Sequence, residues 1–288
     1  MKWEGNRQSD NVEDRRGGGG GGGFRLGGGT LSIGSIVIAL IGSLIFGVNP
    51  LQLLGMMEGG APATQQGPAP APPASDREAA FVSTVLADTE DTWTKLFSEQ
   101  GSAYQQPRLV LFSGRTPTAC GTGQSASGPF YCPADQKVYI DLDFYRVMQE
   151  RFKINGDFAQ AYVIAHEVGH HVQHLTGIAS KVDNARRSMS GTQGNALQVR
   201  MELQADCFAG VWAHNADKAR SILEQGDVDE ALAAAAAIGD DALQRQQQGH
   251  VVPDSFTHGT SEQRSRWFKR GIESGQVDQC DTFGARQL

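Results

Sequence analysis

The most specific chemical pattern in the sequence is a pair of histidines four residues apart, in His166-Glu167-Val168-Gly169-His170. Residues four apart on a helix lie on one face about one turn apart, so both imidazoles can bind the same metal ion. Glu167 follows the first histidine and can reach a water molecule bound to that ion. The spacing H-E-x-x-H is typical of zinc sites in which the glutamate is a general base. The alternative is a helix with two hydrogen-bonded core histidines.

A hydrolytic zinc site takes three protein ligands and leaves a fourth position for water, so one more ligand is needed. His174 lies two turns beyond His166, about 12 Å along a helix axis at 1.5 Å per residue. His171 is rotated by about 100° from His170 around the same axis. Because one ion cannot reach either of them together with the first pair, we predict that His171 and His174 are flanking or solvent residues.

A better candidate lies downstream, in Glu202-Leu203-Gln204-Ala205-Asp206. Glu202 and Asp206 are also four apart, so both carboxylates share a helix face. One carboxylate can bind the ion. The other can accept a hydrogen bond from the free N–H of a ligating histidine, and this hydrogen bond fixes the tautomer of that ring. We predict Glu202 as the third ligand; the alternative is that both carboxylates belong to a solvated face.

The elements that must position these residues are mostly helices. The sequence predicts helices at 76–99, 144–152, 157–176, 192–214 and from about 260, an alanine-rich pair at 227–248, and strands at 108–112 and 137–142. A glycine- and serine-rich loop is predicted between Cys120 and Cys132. The predicted order of elements is one helix, then a few strands, then mostly helices. This order is typical of an α+β domain.

The first 75 residues differ in composition from the rest and predict three segments. Residues 1–29 are polar and glycine-rich, and they are predicted to be a disordered cytoplasmic tail because they bury too little apolar surface to fold. Residues 30–57 are predicted to be a transmembrane segment, since about 20 apolar residues cross a bilayer. Residues 58–75 are predicted to be a proline- and alanine-rich linker. The folded domain is then expected over residues 76–288.

The distribution of basic residues predicts how the chain is oriented in the membrane. Basic residues precede the apolar segment and none follows it until Arg77, so the N-terminus is predicted to be cytoplasmic. The protein would be a single-pass protein of the cytoplasmic (inner) membrane, with its catalytic domain periplasmic or otherwise extracytoplasmic. A cleaved signal peptide is the alternative. The net charge of −7 argues against nucleic acid as a partner.

Two segments together resemble a known type of enzyme. AHEVGHHVQHLTG followed by RMELQADCFAGVWAH resembles the gluzincin type of zinc peptidase, in which the third ligand is a glutamate in an E-x-x-x-D helix. More closely, nearly the whole chain resembles the bacterial Putative neutral zinc metallopeptidase family, in which a basic, glycine-rich tail and a single membrane span precede the catalytic domain. The late segment HGTSEQRSRWFKRG is also similar to sequences of that family.

The resemblance implies a zincin-like fold, Zn²⁺ as cofactor and a peptide or protein as substrate. It implies His166, His170 and Glu202 as ligands, Glu167 as the general base, and Asp206 as the partner of a ligating histidine. The expected protein is a zinc metallopeptidase, most simply an endopeptidase. The alternatives are a catalytically silent zinc-binding scaffold and a hydrolase of a non-protein amide such as a cell-wall peptide.

Hydrolysis also needs a group that stabilises the developing oxyanion. His258 is the candidate, because it lies just before the predicted start of the last helix. A loop or capping histidine is the alternative, and Tyr162 and Tyr139 are weaker candidates. By analogy with this type of fold, the strand at 137–142 is expected to be an edge strand that pairs with an extended substrate.

The four cysteines are Cys120, Cys132, Cys207 and Cys280, and none belongs to a C-x-x-C pair. A cysteine zinc cluster is therefore not expected. An even number suits two disulfides in an oxidising compartment, and four buried thiols are the alternative. Cys120 and Cys132 close a small loop, so we pair them with each other. Cys207 and Cys280 would then tie the C-terminal tail to the helix that carries Glu202.

Overall fold

The computed structural model describes residues 1–17, 71–73, 75–125 and 128–288, which form a mixed sheet, a hairpin and a layer of helices. The strands are β1 (Val12–Asp14), β2 (Arg108–Phe112), β3 (Arg115–Thr118), β4 (Gly121–Gln124), β5 (Phe130–Cys132) and β6 (Lys137–Asp141). The helices are α1 (Arg77–Glu99), α2 (Asp143–Phe152), α3 (Asp157–Leu175), α4 (Ile178–Arg186), α5 (Gly191–Arg220), α6 (Asp227–Ala237), α7 (Asp240–Gln248) and α8 (Ser261–Ser274). The predicted α+β class with a small sheet is confirmed.

The sheet has the order β1-β2-β6-β5. Strands β1 and β6 run parallel to β2, and β5 runs antiparallel to β6. Residues 109–112 of β2 are all buried, as expected for a central strand that is covered on both faces. Strands β3 and β4 form a separate antiparallel hairpin.

The expectation that the strand at 137–142 is an edge strand is wrong. This strand is β6, and it has β2 on one side and β5 on the other, so both of its backbone edges are occupied. Among the described strands, β5 lies at that edge instead, within the segment that the sequence predicts to be a loop. Three residues are too few to show an alternating pattern, and only pairing with β6 defines them as a strand.

Helices α3 and α5 carry the two metal-binding motifs and pack closely against each other. A Cβ atom at Gly169 of α3 would lie 3.0 Å from the backbone oxygen of Ala205 in α5, so the absence of a side chain allows this close approach. Helix α5 also packs tightly on α8, where a Cβ at Gly271 would lie 2.0 Å from the carbonyl oxygen of Cys207. Any larger side chain at Gly271 must therefore push α5 and α8 apart.

The first 17 residues belong to the folded domain, so the prediction of a disordered tail is wrong for them. Strand β1 pairs with β2, and the indole of Trp3 is buried edge-on against Phe81 at 5.4 Å between ring centroids. Trp3 Nε1 donates a hydrogen bond of 2.9 Å to Asp157 Oδ2 at the start of α3. Composition averaged over residues 1–29 hides this segment, because the glycine run that follows dilutes its few anchoring side chains.

The predicted transmembrane segment, residues 30–57, lies outside the described residues, as do residues 18–29 and most of the predicted linker at 58–75. Within the described part of the chain, none of the helices is both long and apolar enough to span a membrane.

Both predicted disulfides are confirmed. Cys120 pairs with Cys132, which links the β3–β4 hairpin to the edge strand β5. Cys207 pairs with Cys280, which fastens the C-terminal segment to the buried side of α5. The second disulfide therefore holds a residue of the helix that carries Glu202.

Candidate metal centre

Three side chains converge where α3 passes α5. Nε2 of His166 lies 3.3 Å from Glu202 Oε2, and Nε2 of His170 lies 3.4 Å from the same oxygen. All three donor atoms lie within 4.8 Å of one another. A tetrahedral zinc ion with bonds of about 2.0–2.1 Å separates its ligand atoms by about 3.3 Å. Two imidazole nitrogens and one carboxylate at this spacing fit Zn²⁺, and they form the group that the sequence predicts.

Hydrogen bonds orient both histidine rings so that Nε2 faces this centre. His166 Nδ1 donates to Asp206 Oδ1 at 2.8 Å, and His170 Nδ1 donates to Gln173 Oε1 at 2.9 Å. Gln173 is fixed in turn, because its amide donates to the backbone oxygen of Met201 at 2.7 Å. With the proton on Nδ1, each neutral ring presents a lone pair on Nε2, which is the form that binds a metal. Gln173 was not predicted, although it lies three residues after His170 on the same helix.

Asp206 is completely buried below the centre and joins several groups. Besides His166, it accepts hydrogen bonds from the Tyr162 hydroxyl at 2.5 Å and from two nitrogens of Arg264 at 2.9 Å each. Burial would raise the pKa of Asp206, but the charges of Arg264 and His166 outweigh burial and lower it to about 2. Asp206 thus stays ionised, as expected for the partner of a ligating histidine. Arg264 belongs to α8 and was not predicted.

The charges of the site favour a cation between the two histidines. Burial acts to lower the pKa of His166, but the carboxylates of Asp206 and Glu202 outweigh burial and raise it to about 10. Burial acts to raise the pKa of Glu202, but His170 and His166 hold it well below the usual value. Gln198 Nε2 donates to Glu202 Oε1 at 2.8 Å, so the other carboxylate oxygen is left to face the histidines. A field that attracts a proton to Nε2 also attracts a divalent ion.

Glu167 is buried beside this centre and lines the adjoining cavity. None of the described residues donates a hydrogen bond to its carboxylate. Burial raises its pKa, while the neighbouring His166 and His170 act in the opposite direction. A carboxylate that has no protein partner and an elevated pKa can accept a proton from a water molecule and release it again.

The structure brings His258 into the same cavity. Its Nδ1 lies 3.2 Å from Asp240 Oδ1, and the backbone N–H groups of Thr257, His258 and Gly259 donate to Asp240 Oδ2 at 2.7, 2.6 and 3.0 Å. Its Nε2 is buried and has no hydrogen-bond partner among the described residues. Burial acts to lower the pKa of His258, but the charge of Asp240 outweighs burial and raises the pKa. Nε2 is thus an unpaired ring nitrogen of a side chain that lines the cavity.

The weaker candidates for this role are occupied or displaced. Tyr162 lines the cavity, but its hydroxyl donates to Asp206 and accepts from Arg264. The Tyr139 hydroxyl donates to Asp135 at 2.7 Å, away from the residues that line the cavity. Neither hydroxyl is left free as His258 Nε2 is.

The other two histidines of α3 lie outside the centre. The prediction that His171 is not a ligand is confirmed, and of the two predicted alternatives it is a flanking residue and not a solvent residue, because its side chain is completely buried. Its Nε2 donates to the backbone oxygen of Gln105 at 2.6 Å, and its Nδ1 accepts from the Tyr131 hydroxyl of β5 at 3.0 Å. Burial lowers the pKa of His171 to about 4 and keeps it neutral. His174 also lies outside the metal-binding group, as predicted, and is half-buried beside Tyr131.

The centre opens into a cavity of about 590 Å³. Strand β5 borders it through Phe130 and Tyr131, and α4 borders it through Asp183 and Arg186. Apolar side chains from other elements complete much of the wall, among them Phe144, Ile238 and Leu243. The cavity is large enough for several residues of an extended chain to pass the metal-binding group.

Fold and centre together define a metallopeptidase-like domain with a zinc-type site. The chain belongs to the family described as Putative neutral zinc metallopeptidase, whose model matches residues 1–283. Zn²⁺ is the cofactor that this family implies, and the His166–His170–Glu202 cluster fits that ion.

The matched relatives are bacterial proteins. The chain is 55% identical over 289 residues to Uncharacterized protein YpfJ of Escherichia coli (strain K12), with 99% of each chain covered. It is 45% identical over 196 residues to Uncharacterized protein Rv2575 of Mycobacterium tuberculosis (strain ATCC 25618 / H37Rv), which covers 64% of this chain and 65% of that protein. No solved structure matches the chain.

Proposed function

We propose that the protein is a zinc-dependent peptidase that hydrolyses internal peptide bonds, with Glu167 as the general base. One observation carries the proposal: three metal-binding atoms converge at one side of a cavity that Glu167 and His258 also line. A structural zinc site would have a fourth protein ligand, and it would need neither a free carboxylate nor an open cavity.

His166, His170 and Glu202 would hold the ion. When bound, Zn²⁺ lowers the pKa of a water molecule to about 7 and polarises the carbonyl of the scissile bond. Glu167 accepts the proton of the attacking water and then delivers it to the nitrogen of the leaving amine. Its buried carboxylate is suited to both transfers, because it has no protein hydrogen bond to break.

His258 stabilises the negative charge that develops on the carbonyl oxygen. With both ring nitrogens protonated, His258 would donate a hydrogen bond from the unpaired Nε2 to this oxygen, and Asp240 fixes the ring through Nδ1. Donors that are oriented in advance stabilise such an oxyanion without reorganisation, and loss of one costs about 100- to 1,000-fold in kcat.

The test uses the purified full-length chain, since a fragment beginning at Asp76 would lack β1. Zinc content and cleavage of an unfolded protein are compared in the parent, Glu167→Gln and His258→Ala, with His250→Ala at an exposed position as the control. We expect about one zinc per chain in all four. Glu167→Gln should lower kcat by about 100- to 10,000-fold. His258→Ala should lower kcat by about 100- to 1,000-fold, and His250→Ala should leave kcat unchanged.

A parent that binds zinc but cleaves no peptide bond would contradict the proposal. The same preparation would then be assayed on cell-wall peptides, which tests the hydrolase of a non-protein amide. If it were inactive there as well, a zinc-binding scaffold would be the remaining function. A Glu167→Gln variant as active as the parent would contradict the role of Glu167 alone.

A further inference from the structure

A half-buried arginine lies in the wall of the cavity close to the metal-binding group. Arg186 is the last residue of α4, and its side chain lines the cavity together with Gln198 and Glu202 of α5. Its Nη1 donates to Gln198 Oε1 at 2.5 Å, and Gln198 Nε2 donates to Glu202 Oε1 at 2.8 Å. Two hydrogen bonds in series thus connect the guanidinium to the carboxylate of Glu202.

The guanidinium of Arg186 has no acidic partner among the described residues. No carboxylate oxygen of those residues lies within 4.0 Å of it, and its remaining N–H donors have no protein acceptor there. Burial lowers the pKa of Arg186, because the charges of Asp183 and Glu202 only partly replace its lost hydration. A partly buried cation that lacks a counter-ion is costly, so the site is suited to an anion from outside the protein.

Arg187, the neighbouring arginine in the cavity wall, is exposed rather than half-buried, and the remaining charges around the cavity have partners or other roles. Arg264 is paired with Asp206. Glu202 faces the two histidines, and Glu167 lies beside them. Asp183 also lines the cavity, but it is exposed and forms no ion pair with Arg186. This leaves Arg186 as a half-buried positive group that faces the space a substrate would occupy.

The geometry points to Arg186 as a residue that binds a carboxylate of the substrate near the cleaved bond. This inference rests on the peptidase activity proposed above. A guanidinium matches a carboxylate with two parallel N–H donors, and such charge-assisted pairs are stronger than neutral hydrogen bonds. Because Arg186 is two hydrogen bonds from Glu202, and an extended residue spans about 3.3 Å, the carboxylate should lie within about three residues of the cleaved bond. It belongs either to an acidic side chain or to the C-terminus of the substrate.

Matched peptides test this inference. Peptides with aspartate or asparagine at each of the three positions on either side of the cleaved bond are compared, as are peptides with a free or an amidated C-terminus. The enzymes are the parent, Arg186→Gln, and Lys181→Gln, which removes one charge at an exposed position of α4 outside the cavity wall. Binding of the same peptides is measured by calorimetry in Glu167→Gln and in Glu167→Gln with Arg186→Gln.

We expect one carboxylate peptide to be preferred over its neutral partner by about ten-fold or more, in kcat/KM for the parent and in Kd for Glu167→Gln. Arg186→Gln should remove this preference and leave the neutral peptide almost unaffected, whereas Lys181→Gln should keep it. The aspartate and C-terminal series identify which carboxylate is bound.

An equal loss for carboxylate and neutral peptides in Arg186→Gln would overturn the inference, because it would show that Arg186 only positions Gln198 and Glu202. No preference in the parent would also overturn it. Both results differ from a failure of the proposed function, in which the parent cleaves none of the peptides while the calorimetry still measures carboxylate binding.

Discussion

Asp206 is the single residue on which most of the metal centre converges. It accepts hydrogen bonds from His166, Tyr162 and Arg264, each of which lies at least 40 positions away from Asp206 in the sequence. Its negative charge compensates the buried guanidinium of Arg264 and fixes the proton of His166 on Nδ1. Asp206 thus supports a ligand without being one.

We expect Asp206→Asn to bind zinc about 10- to 100-fold more weakly than the parent, which is the usual cost of losing such a partner. The amide keeps one acceptor for His166 but leaves Arg264 without a buried counter-charge. The measurement is zinc affinity by competition with a chelator, with Glu262→Gln as a control that removes an exposed carboxylate. Equal affinities in the parent and Asp206→Asn would show that Asp206 has no influence on the ion.

Among the elements, strand β1 depends on one buried carboxylate. Glu13 is buried and forms ion pairs with Lys137 at 2.8 Å and Arg15 at 2.8 Å, and it also contacts Arg108. Burial acts to raise the pKa of Glu13, but the hydrogen bonds from Lys137 and Arg15 outweigh it, and the pKa lies below 4.5. The ionised form is therefore stabilised more in the folded state than in the unfolded state.

This shift predicts how the domain responds to acid. The contribution of Glu13 to stability is fully present above pH 4.5 and is lost as the pH falls through its lower folded-state pKa. We expect Glu13→Gln to lower the free energy of unfolding by about 1–3 kcal/mol at pH 7 and to show a smaller decrease below pH 4.5 than the parent. Urea denaturation from pH 7 to pH 3 measures both effects.

Glu4→Gln provides the control, since Glu4 forms an exposed ion pair with Arg77. Such pairs contribute little to stability, so this variant should follow the parent at every pH. If Glu13→Gln and the parent lost stability in parallel on acidification, the ion pairs around Glu13 would not stabilise β1.

At the scale of the whole molecule, the N-terminal segment bears on the predicted location. A single membrane crossing by residues 30–57 would place residues 1–17 and the domain on opposite sides. In the structure β1 pairs with β2, and Arg16 forms an ion pair of 2.7 Å with Asp76. The two arrangements exclude each other in one molecule, so we expect residues 1–17 and the domain to share one compartment.

Labelling of single added cysteines can measure this directly. Glu4→Cys and Glu273→Cys place thiols at exposed positions of the N-terminal segment and of α8. In intact spheroplasts, a maleimide that does not cross membranes should label both cysteines or neither of them. Labelling of Glu273→Cys alone would instead favour the single crossing with a cytoplasmic N-terminus, and lysed cells would control for the reactivity of each thiol.

The sequence by itself determined the features that depend on local spacing. Residues four apart on one helix must share a face, so His166 with His170 and Glu202 with Asp206 could be paired before any fold was known. Two helix starts followed from local capping residues: Asp76 and Thr260, which cap α1 and α8, lie where the sequence places those starts. The end of α5 at Arg220 and the whole of α4 were not predicted. The disulfides could be paired because Cys120 and Cys132 close a short loop.

Only the tertiary structure decided which residues from distant segments contact the residues of the site. Arg264, Asp240 and Arg186 have no local pattern of their own, and their roles arise from contacts across the folded chain with Asp206, His258 and Gln198. Strands β1 and β5 are three residues each, too short for a periodic signal, and they exist through their pairing with β2 and β6. Spacing along a helix is fixed by backbone geometry, whereas contacts between distant segments depend on how the whole chain packs.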